Sequence, residues 1–208
     1  MRRLAATDPG AALEHWRTTR ERLFREHPQS PVPAERRADF RARHFDHDPA
    51  LRFEVAVEPL AASAPAPAAD ASGLAIDFGA GPASLAIDLP VSGTGSAPMA
   101  FRRFGAVTIP LAGGPRRLEI YWMEGYAGGL FLPFRDATNG SETYGAGRYL
   151  LDAAKSADLG GDAAGGTLVL DFNFAFQPSC AFDPKWACPL APPANRLDVP
   201  IRAGERLA

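Results

Sequence analysis

The chain is expected to be a mainly β domain, an antiparallel curved sheet or open barrel with N-terminal helices packed across it. Three features lead there. Helical spacing of apolar residues is confined to the first quarter of the sequence. After Leu51, short apolar runs recur between glycine-rich turns. No helix-strand alternation of the kind that builds a parallel sheet follows.

The helical part opens at Asp8-Pro9, where an aspartate N-cap and a proline at the first helical position are a favoured pair. Leu13, Trp16, Leu23 and Phe24 then fall near helical spacing, with Arg17, Glu21 and Arg25 set to pair on the opposite face. His27-Pro28 ends this helix, and AERRADF after Pro33 is expected to form a second, shorter one before the Asp48-Pro49 turn. From Leu51, Phe53, Val55 and Val57 alternate with charged residues, as in a half-buried strand. Residues 60–73, LAASAPAPAADASG, offer nothing to bury and read as a flexible loop. "LAID" at Leu74 and again at Leu85 flanks a Gly/Pro turn and reads as a hairpin. Further strands are expected at FGAVTIPL, RRLEIYWM, GGLFLPFRDAT, SETYGAGRYLLD, GTLVLDFNFA and RLDVPIRA. Residues 1–208 thus read as one domain, with a helical region at 1–50 and a β core at 100–208.

Composition narrows the function classes. Of the 208 residues, 46% are apolar and 22% charged, as in an ordinary globular protein, and no run approaches the ~18 apolar residues of a membrane span. The first residues have two arginines but no apolar segment after them, so no signal peptide is expected and a cytoplasmic location is the default. A formal net charge of -2 gives no long-range attraction for nucleic acid.

Familiar catalytic motifs are missing. There is no phosphate loop, no Gly-x-Ser-x-Gly elbow and no His-Glu-x-x-His, and all four histidines lie before residue 48. "HFDHD" has metal-ligand chemistry in His44, Asp46, His47 and Asp48, but a polar turn ahead of Asp-Pro accounts for the same residues, so no metal and no cofactor is expected. Cys180 and Cys188 are the only cysteines. Packed thiols are the first reading; a disulfide closing so short a loop would contribute roughly 2.5 kcal/mol, and a metal or redox role stands third.

The stretch FRDATNGSETYGAGRYL gathers more chemistry. Asn139-Gly140 is a preferred type I′ hairpin pair, so Thr138 should face Ser141, Arg135 should face Tyr144, and Phe131 should face Arg148. That register sets Arg135, Glu142, Tyr144 and Arg148 on one face and leaves Gly145 and Gly147 opposite Phe134 and Leu132, for ring packing, a bend or ligand room. Asp171 and Asn173, two apart in LVLDFNFAF, share a face of the next strand and could join the cluster.

Three functions fit. Arg135, Arg148 and Asn173 could hold a small anionic organic ligand, since a guanidinium fork grips carboxylate or phosphate through two hydrogen bonds. Glu142 or Asp171 as general base with Tyr144 as acid could run metal-independent hydrolase or lyase chemistry in the same pocket. Or Phe182 and Trp186 on the proline-rich loop could anchor a protein partner. The residues leave open whether the protein is an enzyme, as well as its oligomeric state.

FRDATNGSETYGAGRYL, LDFNFAFQPSCAF and CPLAPPANRLDVPIRAGE resemble, in that order, the C-terminal signature of the bacterial and archaeal family known as domain of unknown function 1684; WRTTRERLFREHPQSPV resembles its opening. The resemblance marks Asp136, Glu142, Tyr144, Gly147, Arg148, Tyr149, Asp171, Asn173, Cys180, Cys188, Pro189, Asn195, Gly204 and Glu205 as motif residues, with Gln177 a departure from a usual asparagine. It implies no activity.

Overall fold

The computed structural model describes residues 1–59, 86–88, 91–92, 100–123, 129–152, 158–162 and 166–207. The 60–73 loop and the first LAID lie outside these residues. A short helix α1 (Arg2–Thr7), unanticipated from sequence, leads into α2 (Pro9–Glu26). The Asp8 carboxylate caps α2 by accepting from the Ala11 N–H at 2.9 Å, and His27 leaves the helix in extended conformation ahead of Pro28. AERRADF supplies only one 3₁₀ turn, Ala34–Arg36. Leu23, placed on the apolar face by spacing, is exposed, and its role falls to Arg20. Glu21 likewise turns from Arg17 and Arg25 to accept from the Ala42 N–H at 3.1 Å.

The strands are β1 (Arg43–His44), β2 (Arg52–Pro59), β3 (Ala86–Asp88), β4 (Val91–Ser92), β5 (Ala100–Leu111), β6 (Gly114–Met123), β7 (Gly129–Phe134), β8 (Arg148–Asp152), β9 (Thr167–Asp171), β10 (Cys188–Pro189) and β11 (Glu205–Arg206). The main sheet runs β8-β7-β6-β5-β2-β9, antiparallel throughout, with β3 also on β5. This is a curled half-barrel. Two small ribbons, β1 with β11 and β4 with β10, lie apart from it.

Curvature has a local cause. β5 carries an extra residue between Arg103 and Gly105, and a Cβ on Gly105 would meet the Glu58 carbonyl oxygen at 2.9 Å, so the glycine lets β2 approach at the bulge. Beyond that point β2 leaves β5 and pairs with β9. The sheet edges then meet where Tyr149 and Phe176 exchange backbone hydrogen bonds of 2.9 and 3.0 Å.

β7 is buried on both faces. Leu130, Leu132 and Phe134 join Ile120, Leu170 and the C-terminal residues Leu197 and Ile201 on one side. Phe131 joins Leu13, Trp16, Tyr149, Phe174 and Phe176 under the helices on the other. Each such large apolar side chain contributes about 1.5–3 kcal/mol on burial, which makes the two-sided core the main source of stability.

RLDVPIRA is no strand. Its Leu197 N–H reaches Arg135, but the Ile201 and Ala203 carbonyls are turned inward to accept from Arg148, so they are not available to a sheet.

Candidate functional site

The Asn139-Gly140 hairpin does not form; a loop of residues 135–147 takes its place. Phe134 faces Arg148 and Phe131 faces Asp152, against the expected pairing of Phe131 with Arg148. Side chains override the turn signal. Asp136 Oδ1 accepts from the Thr138 N–H and hydroxyl at 2.6 and 2.5 Å, and Asn139 Oδ1 accepts from the Asp136 N–H at 2.7 Å. Asn139 Nδ2 donates to Thr143 Oγ1 and the Tyr144 carbonyl, while three successive N–H groups, Ser141 to Thr143, converge on the Thr138 carbonyl. These local bonds occupy the backbone groups a two-residue hairpin would have paired. Gly147, at φ +107°, permits close approach: a Cβ there would sit 2.5 Å from the Phe134 carbonyl oxygen.

The hairpin residues consequently diverge. Arg148 is fully buried; Nη2 donates to Asp136 Oδ2 and the Ile201 carbonyl at 2.7 Å each, and Nη1 to the Ala203 and Glu205 carbonyls at 2.5 and 3.1 Å. Burial lowers its pKa, and the adjacent Asp136 carboxylate opposes that shift. The Arg135 side chain donates to the Gly145 carbonyl at 2.8 Å. Glu142 forms a two-pronged pair with Arg202, at 2.9 to 3.1 Å, which holds its carboxyl below the ordinary range. A general base needs the opposite shift. Substituting Glu142→Gln is expected to leave the urea unfolding midpoint nearly unchanged, because the pair is exposed; a marked drop would show that the loop depends on it.

Asp171 and Asn173 do not alternate along one strand either. Asp171 ends β9 and caps a 3₁₀ turn, Phe172–Phe174, by accepting from the Asn173 N–H at 3.0 Å. The Asn173 amide donates to Asp171 Oδ1 and the Asp48 carbonyl at 2.8 Å each and accepts from the Asp48 N–H at 2.9 Å. It clamps the entry to β2. Phe182, a candidate partner anchor, is half-buried and packs edge-on against Phe24 and Phe40.

Polar groups instead gather where α2 crosses the open end of the half-barrel. The buried helix face runs Leu13, Trp16, Arg20, Phe24. Arg20 lies between the rings of Phe24 and Phe176, with centroids 4.3 and 4.4 Å away, and donates to both oxygens of buried Glu205 at 2.5 and 3.3 Å. Glu205 Oε2 also accepts from the Gln177 N–H at 2.8 Å. One turn away, Arg17 feels the charges of Glu14, Glu205 and Asp171, yet burial dominates and lowers its pKa. His44, on β1, is pushed down to about 4 by burial, with Arg17 and Arg20 adding to the shift. Arg52 begins β2 directly opposite Asp171 and reaches the Ala5 carbonyl through Nη2 at 3.4 Å.

Several nitrogens in this cluster are left over. Arg17 Nε and Nη2, Arg52 Nη1 and His44 Nε2 are all shielded from solvent and have no hydrogen-bond partner among the described residues. Sequence reading set Arg17 on a solvated face and His44 in a turn, and their spatial approach from separate elements left no local signal. Arg20 was legible, being four residues from both Trp16 and Phe24 on the buried stripe. Among the described residues no group of three or more His, Cys, Asp or Glu is placed to hold a metal ion; Asp46 and His47 of HFDHD are exposed. No helix among them is long and apolar enough to cross a membrane.

The architecture is thus a mainly β half-barrel of antiparallel strands crossed by an N-terminal helix, with a polar cluster beneath that helix. The chain belongs to the family described as "Protein of unknown function (DUF1684)", matching it over residues 40–206. It is also similar to the solution NMR structure of an uncharacterized protein from Haloarcula marismortui, with a TM-score of 0.63 and 29% sequence identity over 97% of this chain and 96% of that one. Among curated proteins nothing matches.

Proposed function

We propose that the protein binds a small organic anion beneath α2, with Arg17 and His44 as the direct donors and Arg52 beside them. The observation carrying this reading is the set of four buried nitrogens, three of them guanidinium donors, that have no partner among the described residues. A buried donor left unmatched costs about 1–3 kcal/mol, so a chain that keeps several in one region gains when an acceptor arrives from outside. The chemistry of the donors narrows the acceptor. Nε and Nη2 form the side edge of a guanidinium, the edge that grips a carboxylate or phosphate through two parallel bonds. The nearby carboxylates act on it through charge, but Glu205 already accepts from Arg20 and Asp171 Oδ1 from Asn173.

Titration calorimetry with acetate, succinate and inorganic phosphate tests the reading. Wild type should bind at least one of them, and Arg17→Met should weaken that binding at least tenfold while leaving the unfolding midpoint close to wild type. Failure of all three to bind at millimolar concentration would sink the proposal. Affinity should also rise as pH falls from 7 towards 5. The free protein holds His44 neutral down to about pH 4, and a bound anion favours the imidazolium, so binding takes up a proton as the solution becomes more acidic. Affinity that stays flat over this range would remove His44 from the site and leave Arg17 as its anchor.

A further inference from the structure

The loop from Pro178 to Pro189 brings the two cysteines together. Cys180 sits in a 3₁₀ turn, Ser179–Ala181, and Cys188 begins β10. Between them the Phe182 and Asp183 N–H groups return to the Ser179 carbonyl and the Trp186 N–H to the Asp183 carbonyl, which folds the chain back on itself. The Cys180 N–H then donates to Cys188 Sγ at 3.2 Å. Both residues are thiols, both are buried, and both ends of the loop are fixed: Phe182 against α2, and Pro189 through its carbonyl to the Tyr149 hydroxyl at 2.7 Å.

The Cys188 sulfur thus faces a hydrogen-bond donor, the Cys180 N–H. A donor aimed at sulfur stabilises the thiolate, the nucleophilic form. Nearby, burial pushes Tyr144 up to about 12, with the neighbouring cysteines adding to the shift, so it remains a phenol throughout the neutral range.

We propose that Cys180 and Cys188 are a reversible dithiol–disulfide pair, oxidised by a two-electron oxidant of the peroxide class. One thiolate attacks a peroxide oxygen; the O–O bond breaks, the sulfur becomes a sulfenic acid, and one water leaves after protonation. The second thiol attacks that sulfur, the S–S bond forms, and the sulfenic oxygen departs as a second water. Two thiols and one hydrogen peroxide give one disulfide and two waters, with sulfur losing the two electrons that peroxide gains.

The test is peroxide treatment of the full chain, followed by denaturing alkylation and peptide mass mapping. Oxidation should yield a single peptide pair joining Cys180 to Cys188, lighter by two hydrogens than the dithiol and restored by dithiothreitol. Cys180→Ser should send Cys188 to sulfenic and sulfinic acid. Full alkylation after treatment, cross-links between chains only, or sulfinic acids on both cysteines of wild type would overturn the proposal.

Discussion

Arg148→Met is expected to lower the free energy of unfolding by about 3–5 kcal/mol, measured by urea titration against wild type. Methionine keeps most of the stem, so little volume is lost. What disappears is the donor to Asp136 and to the carbonyls of Ile201, Ala203 and Glu205. Asp136 would be left as a buried carboxylate without its cation while still organising the 135–147 loop through Thr138. Both ends of the pair lie fully out of solvent, the setting in which removing one partner costs most. Arg135→Met is the matched control, since that side chain is half-buried and donates to one carbonyl among the described residues, and it should move the midpoint little. A loss below about 1 kcal/mol at Arg148 would mean that the C-terminal carbonyls find other donors, and the account of why residues 196–203 avoid a sheet would need replacing.

Glu205→Gln should produce the second large effect, a loss on the order of 3 kcal/mol at neutral pH. The substitution is nearly isosteric but leaves Arg20 charged between two phenyl rings, without the carboxylate that accepts from it. An amide can satisfy one of the present donors but presents its NH₂ to another, so either Arg20 or the Gln177 N–H loses its acceptor. Loss of stability with the near-ultraviolet circular dichroism of the Trp16 environment retained would place the effect on this pair. A change within about 0.5 kcal/mol would mean that the helix is held by its apolar face alone.

What could be read in advance followed from local physics. Asp8-Pro9 fixes the start of α2 by itself, and the alternation of Phe53, Val55 and Val57 defines β2 without reference to any partner. Ala112 and Gly113 join β5 to β6, as expected of a glycine turn. The family resemblance rested on ordered motifs and holds over residues 40–206. The reading failed where side chains decided the backbone path. Asn139-Gly140 carries a genuine hairpin preference, but Asp136 and Asn139 hydrogen-bond their own loop, and that shifted the register of Arg148 by three positions on β7. The Arg17, His44 and Arg52 cluster was hidden for another reason. Its members come from a helix and two strands, and each has an ordinary local explanation as a surface or turn residue.

The meeting of Arg20 with Glu205 has a consequence for how the chain finds this structure. The two residues are 185 positions apart, and the β1–β11 ribbon joins Arg43 to Arg206 in the same region. Few local contacts reward the search for these partners, so the entropy of closing long loops must be met before the helix can dock on the open end of the half-barrel. The hairpin of β5 and β6 needs no such wait, its strands being separated by a two-residue turn. Refolding should therefore proceed from this central hairpin outward, with burial of Trp16 among the late and slow events.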